Sequence, residues 1–286
     1  MLLALTLVAL LASGPDTTVA VQKGQRLELG VHHGDVTVQS WSRSAVRVQL
    51  DADEDDARVR IDASGGTVSL GAVGRWGAPV QADFTITVPT WMALSINGVE
   101  SDVKVDGVQA PIAVETVNGD VTVHGGDGVV TLHSVEGDVS LAGARGRMDV
   151  QSVNSDVSVS DAQGDIAAQS VNGSVQLVGI QSQNVDASSV NGDITYSGTV
   201  QSGGRYHATT HNGDIRFGMP EGAGAVVSVS TFQGDFESGF PVTLTKPNGR
   251  NFSFTVGGGG ARVELESFQG TIRLERPGSV ESRRHR

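Results

Sequence analysis

Apolar and polar residues alternate in short bursts along this chain, and the bursts recur. Val121-Thr-Val123, Val139-Ser-Leu141 and Val157-Ser-Val159 each place two apolar residues on one side and a hydroxyl on the other. Period-two alternation predicts a strand buried on one face. A second burst follows half a repeat later, at Ile112/Val114, Val130/Leu132, Met148/Val150 and Ile166/Ala168, and these rows also step by 18 residues. Two strands per repeat are therefore predicted.

A short phrase introduces the first strand of each repeat. It reads Val117-Asn-Gly-Asp-Val-Thr-Val123 in one copy, and its central residues fall at 101, 119, 137, 155 and 173. Looser copies centre on Gly192, Gly213, Gly234 and Gly270. A fixed period of this size predicts stacked repeats that pair strand on strand, a single-stranded β-solenoid (β-helix) of about 18–21 residues per coil. Eighteen is also three sixes, which suits a three-sided hexapeptide helix. Its third corner would fall on Pro111, Val129, Arg147, Asp165 and Gln183, and only Val129 suits an interior.

Turn chemistry fits the same scheme. Asn-Gly pairs at 118, 172, 191 and 212 allow tight reversals, and Gly128, Gly146 and Gly164 predict a second turn. One conflict sits at the first corner. Alternation from Val114 sends Thr116 inward, yet its neighbour Val117 is apolar too.

The boundaries follow from these patterns. Residues 1–20 read as a signal peptide, with an apolar core at 2–12 and a cut after Ala20. Residues 21–98 read as irregular N-terminal coils, including an acidic loop at 51–56. Residues 99–275 hold the regular array and its C-terminal capping coils, where seven of the eight phenylalanines lie, and 276–286 read as a flexible tail.

Composition narrows the function classes. The chain has 286 residues, 38 glycines and no cysteine, so disulfides, thiolate metal sites and a lipidated cysteine are excluded. A net charge of −12 argues against nucleic acid, whose phosphates need a basic surface, and against adhesion to anionic lipid. No stable membrane span is expected once the leader is removed, because the run at 2–12 is too short to cross.

The repeated Val-Asn-Gly-Asp-Val phrase, the Gly34-Asp-Val-Thr-Val38 opening and the Thr85-Ile-Thr-Val-Pro89 lead-in resemble the bacterial DUF4097 family. The resemblance spans roughly residues 30–275. It implies an exported or envelope-associated, right-handed β-solenoid of β-strand-repeat, adhesin-like type. It brings no catalytic residues with it.

Candidate chemistry is sparse. Asp102, Asp120, Asp138, Asp156, Asp193, Asp214 and Asp235 recur at the turn and form a candidate cation row. Stacked carboxylates repel unless they are hydrogen-bonded or bridged, and turn aspartates commonly accept nearby backbone N–H groups. The Gly-Gly-x-Gly-x-Asp nonapeptide of calcium-binding rolls is missing. His124, His133, His207 and His211 lack zinc-ligand spacing. Residues 257–260 lack the Gly-Lys-Ser/Thr ending of a phosphate loop. No catalytic residue and no cofactor are assigned. The expectation is a non-catalytic, exported adhesin-like or scaffold protein of the periplasm, envelope or cell surface, with an envelope protein or polysaccharide as partner. The alternatives are a polysaccharide-acting β-helix enzyme and a weak calcium-binding module.

Overall fold

Alternating sequence becomes strand throughout. The computed structural model describes residues 16–52, 57–74, 80–241, 245–248 and 251–276, and among these there are strands and no helix. The remainder of the expected leader, 53–56 of the acidic loop, Trp76 and the tail beyond Arg276 lie outside the described residues. The chain divides into two compact units, Met1–Ser134 and Val135–Arg286.

The first unit contains β1 (Asp16–Ala20), β2 (Arg26–His33), β3 (Val36–Trp41), β4 (Ala45–Ala52), β5 (Arg58–Ser64) and β6 (Thr67–Val73). It continues with β7 (Ala82–Pro89), β8 (Ala93–Glu100), β9 (Val103–Val108), β10 (Ile112–Asn118), β11 (Val121–Gly125) and β12 (Asp127–Glu136). One sheet has the order β1-β4-β7-β3-β9-β11, the other β12-β10-β8-β2-β6-β5. The eighteen-residue offset appears directly in the parallel registers Val121↔Val103 and Ile112↔Leu94. Val103, Val105, Ile112, Val114, Val121 and Val123 point between the sheets and are at most 1% exposed. Each such burial contributes about 1.5–3 kcal/mol against leaving the side chain in water.

Before residue 98 the chain departs from simple stacking. β4 runs antiparallel to β7, and β5 antiparallel to β6. β3 lies between β7 and β9, so the Val36 repeat stacks directly on the Val103 repeat. Residues 16–20, assigned from the sequence to the leader, form edge strand β1 against β4.

The second unit contains β13 (Val139–Ala142), β14 (Arg145–Ser152), β15 (Val157–Ser160), β16 (Gln163–Ser170), β17 (Val175–Ile180), β18 (Asn184–Ser189) and β19 (Ile194–Gly198). Then come β20 (Arg205–Asn212), β21 (Ile215–Gly218), β22 (Ala225–Thr231), β23 (Phe236–Ser238), β24 (Thr245–Asn248), β25 (Asn251–Val256), β26 (Ala261–Gln269) and β27 (Ile272–Glu275). The orders are β13-β15-β17-β19-β21-β27-β23 and β14-β16-β18-β20-β26-β22-β25-β24. Spatial order thus breaks from chain order near the end. β26 and β27, last in sequence, pair between the two preceding repeats.

Aromatic side chains fill the interior where the repeat lengthens to 21 residues. Tyr196 stacks on Phe217 at 4.6 Å, and Tyr206 meets both rings edge-on. The Tyr206 hydroxyl donates to Ser182 O at 2.7 Å and accepts the Gln201 N–H at 2.8 Å, so a phenol is buried with its polar end satisfied. Burial pushes the Tyr196 phenol far above its ordinary value.

The glycines expected at the second turn, Gly128, Gly146 and Gly164, have φ of 95°, 109° and 128° and stand at the starts of β12, β14 and β16. In the second unit Gly143 and Asp161, which lie between strands, and Gly179, one residue before the end of β17, are all left-handed with φ of 70°, 50° and 70°.

Candidate functional site

The Asp row is a backbone clamp. In the first unit Asp35 Oδ1 accepts the Asp102 N–H at 3.3 Å, and Asp102 Oδ1 accepts the Asp120 N–H at 2.8 Å. In the second unit Asp138 Oδ1 accepts the Asp156 N–H at 3.1 Å, and Asp156 Oδ1 the Ser174 N–H at 2.7 Å. Asp193 then accepts from Asp214, and Asp214 from Thr271, at 2.9 and 2.8 Å. Asp235 contributes its carbonyl to the Ile272 N–H at 2.9 Å. Among the described residues no group of three or more His, Asp or Glu is arranged to hold a metal ion.

Two neighbouring columns complete the corner. Asn172 Nδ2 donates to Asn154 Oδ1, Asn191 to Asn172 and Asn212 to Asn191, at 2.8, 2.9 and 2.8 Å. The conflict between Thr116 and Val117 resolves with the hydroxyl inside. Thr116 is 5% exposed and Val117 51%. The buried hydroxyls bond corner carbonyls of the neighbouring repeat, as Ser152 does to Gly137 O at 3.1 Å and Ser170 to Ser155 O at 2.9 Å. Thr231 ends this row, 8% exposed and with no partner for its hydroxyl. The corners approach so closely that a Cβ at Gly192 would lie 2.1 Å from Gly173 O.

Charge gathers at the last repeats. Arg216 reaches Asp193 at 3.2 Å and Asp214 at 3.5 Å, while Arg273 reaches Asp214 at 2.5 Å and Glu237 at 3.0 Å. Burial would raise the Asp214 carboxyl. The Thr271 N–H, the Arg273 hydrogen bond and the charges of Arg273 and Arg216 outweigh it and hold the group below its ordinary value. The Asp214 hydrogen bond, outweighing partial burial, raises Arg273. Sequence spacing hides this network, because Arg216 and Arg273 meet only through the β21–β27 register.

The outer face of β20, β26, β22 and β25 carries the concavity that most resembles a binding site. Register puts Thr209, Glu266, Ser230 and Asn251 in one row across these strands, and His207, Glu264, Ser228 and Ser253 in the next. Two hollows of about 720 and 520 Å³ share Ser230, Asn251 and Glu266 as lining. Ser230 Oγ donates to Asn251 Oδ1 at 2.8 Å. At the rim, His211 stacks on Phe268 at 4.6 Å and Phe268 on Phe232 at 4.7 Å. Phe268 and Phe232 are 38% and 47% exposed. Earlier in the unit the same column is the exposed series Val135, Val153, Val171 and Val190. A signal for the rim was present: His211, Phe232 and Phe268 stand two residues before a corner glycine, where other repeats have valine.

The other histidines are scattered. His207 lies 3.3 Å from Asp186, and His33 lies 2.9 Å from Glu100. His124 ends the inward run of β11 as an exposed residue.

Hydrogen-bonded corner ladders between parallel strands define an all-β protein of stacked repeats. The chain belongs to the family described as Toastrack DUF4097, whose model matches residues 24–275. No curated protein matches the sequence. Solved structures similar to it include a candidate adhesin from Bacteroides fragilis at 15% identity, covering 91% of this chain and 95% of that one with a TM-score of 0.46. A candidate adhesin from Parabacteroides merdae matches at 12% identity, 91% and 95% coverage and a TM-score of 0.39. A candidate lipid-binding protein from Parabacteroides distasonis matches at 11% identity, 91% and 97% coverage and a TM-score of 0.36.

Proposed function

We propose that this protein is a non-catalytic, adhesin-like interaction protein of the cell envelope or surface, and that the groove on β20, β26, β22 and β25 meets its partner. The observation that carries this reading is the groove's mixed lining. Exposed rings at the rim stand beside a floor of hydroxyl, amide and carboxylate groups from Thr209, Ser230, Asn251 and Glu266. Aromatic surface beside polar anchors is the chemistry of a contact site. The partner is an envelope protein or a polysaccharide. Export rests on the apolar core at residues 2–12.

The fold in this reading is a β-solenoid of about 18–21 residues per coil. Register offsets support it, with Met148↔Ile166 at 18 residues, Ile166↔Val185 at 19 and Val185↔Tyr206 at 21. A right-handed path follows the general rule for parallel crossovers.

Binding is favoured over hydrolysis of a polysaccharide because the groove combines exposed rings with neutral hydroxyl and amide groups beside its carboxylates. The Asp row is favoured as backbone capping over calcium binding, because its Oδ1 atoms already accept N–H groups.

The test is capture by the immobilised full-length chain, from solubilised envelope and from a panel of neutral, acidic and amino polysaccharides. A partner retained by the wild type and lost at least tenfold with Phe268→Ala plus Glu266→Gln is expected. Equal retention by both proteins, or release of new reducing ends from any polysaccharide, would overturn the reading.

A further inference from the structure

β1 bears on where the folded protein begins. All five of its residues pair antiparallel with β4, from Asp16↔Gln49 to Ala20↔Ala45. Asp16 also grips Arg47 with both carboxylate oxygens, the Nε contact measuring 2.9 Å. The Arg47 hydrogen bond holds the Asp16 carboxyl below its ordinary value. The next residue, Val21, is 6% exposed, and its N–H donates to Ser44 O at 3.1 Å.

A cut between Ala20 and Val21 would have three physical consequences. It would remove the edge strand and open the outer edge of β4 to foreign strands. It would leave Arg47 without its carboxylate. It would also place a new α-ammonium on a residue that the fold buries, where a charge is poorly solvated. The Thr18-Val-Ala20 pattern that suggests peptidase recognition is also ordinary strand chemistry, since Thr and Val favour the pleated conformation.

We infer that Asp16–Ala20 is a permanent part of the fold, and that a leader peptidase acting on this chain cuts on the N-terminal side of Asp16. The step is a hydrolysis. Water adds across one peptide bond, leaving a carboxylate on the released leader and an ammonium on the retained chain. The inference about the cut rests on the export reading above; the inference about β1 stands on its own contacts.

The experiment uses the full-length chain in a bacterial host with working export. Protein from the envelope and periplasmic fractions is read by N-terminal sequencing and intact mass. A first residue at or before Asp16 is expected, and a first residue of Val21 overturns the inference. If the chain stays unprocessed in the cytoplasm, the export reading fails, and β1 is tested by limited proteolysis of that same protein. Bonds within 16–21 should resist a protease that digests the urea-unfolded chain, and Arg47→Ala should speed their cleavage several-fold. Cleavage at equal rates in native and unfolded protein would overturn it.

Discussion

The Asp156 carboxylate and the Ser174 main-chain N–H belong to successive repeats and meet at 2.7 Å. Ser174 stands where most repeats have aspartate, so its N–H donates this bond but it has no carboxylate to offer onward. The pair isolates what the Asp row does. Asp156→Asn keeps an acceptor oxygen and removes the charge; Asp156→Ala removes both.

If capping is the role, Asp156→Ala lowers unfolding free energy by about 1 kcal/mol, and Asp156→Asn is close to neutral. Urea midpoints check this. Millimolar calcium is expected to leave the melting temperature of all three proteins unchanged. A rise in the wild type that Asp156→Asn abolishes would instead assign the row to cation binding.

Asp214 gives a pH signature. Its folded value lies below the ordinary 3.8, because Thr271, Arg273 and Arg216 together overcome the effect of burial. A depressed carboxylate contributes stability above its unfolded value and loses it as pH falls through the folded value. The wild-type urea midpoint should therefore hold down to about pH 4 and then drop. Asp214→Asn still accepts the Thr271 N–H but loses both arginine charges. It should start lower at neutral pH and fall less in acid. Parallel curves for the two proteins would contradict the network.

Much of the corner was legible in the sequence for a simple reason. Strand period, repeat step and turn residues are local, so Val121, Val139 and Val157 declare their inward direction without reference to anything distant. Distant pairings were not legible. Nothing local says that the Gly270 repeat stacks on the Gly213 repeat ahead of Gly234, because the Gly234 and Gly270 copies both open on Phe-Gln-Gly. The groove is hidden for the same reason, since its floor needs Thr209 beside Glu266 and Glu266 beside Ser230. β1 was hidden differently: an apolar leader pattern and a Thr-Val strand overlap in composition.

The left-handed positions at 143, 161 and 179 were not legible because Asp161 interrupts the glycines of that column. Gly143 and Gly179 flank Asp161, and Asp161 alone among the described non-glycine residues has positive φ, at 50°. Aspartate tolerates this region through local hydrogen bonding, whereas a β-branched side chain does not. Asp161→Val is expected to cost about 1–2 kcal/mol, and Asp161→Asn to be nearly neutral. Thermal melts of the two variants check the order. A Val variant as stable as wild type would mean that the turn relaxes out of the left-handed region.

The Asn-Gly-Asp corner has an interior clamp in the column where the sequence left Thr116 and Val117 in conflict. Ser170 is 4% exposed. Its hydroxyl donates to Ser155 O at 2.9 Å and accepts the Gly173 N–H at 2.9 Å. One small side chain thus ties its own turn to the repeat before it. Removing the hydroxyl leaves a buried donor and a partly buried carbonyl unpaired, at roughly 1–3 kcal/mol. Ser170→Ala should lower the unfolding free energy by that amount, read from urea unfolding curves. Ser170→Thr should retain most of the stability, since threonine already fills the column at Thr116 and Thr210, with the Thr210 hydroxyl 2.9 Å from Gly192 O. Ser170→Val adds the same volume as Thr without the donor, so it separates packing from hydrogen bonding. If Val and Thr are equally stable, packing alone holds the corner; a Val variant as weak as Ala assigns the register to the hydroxyl.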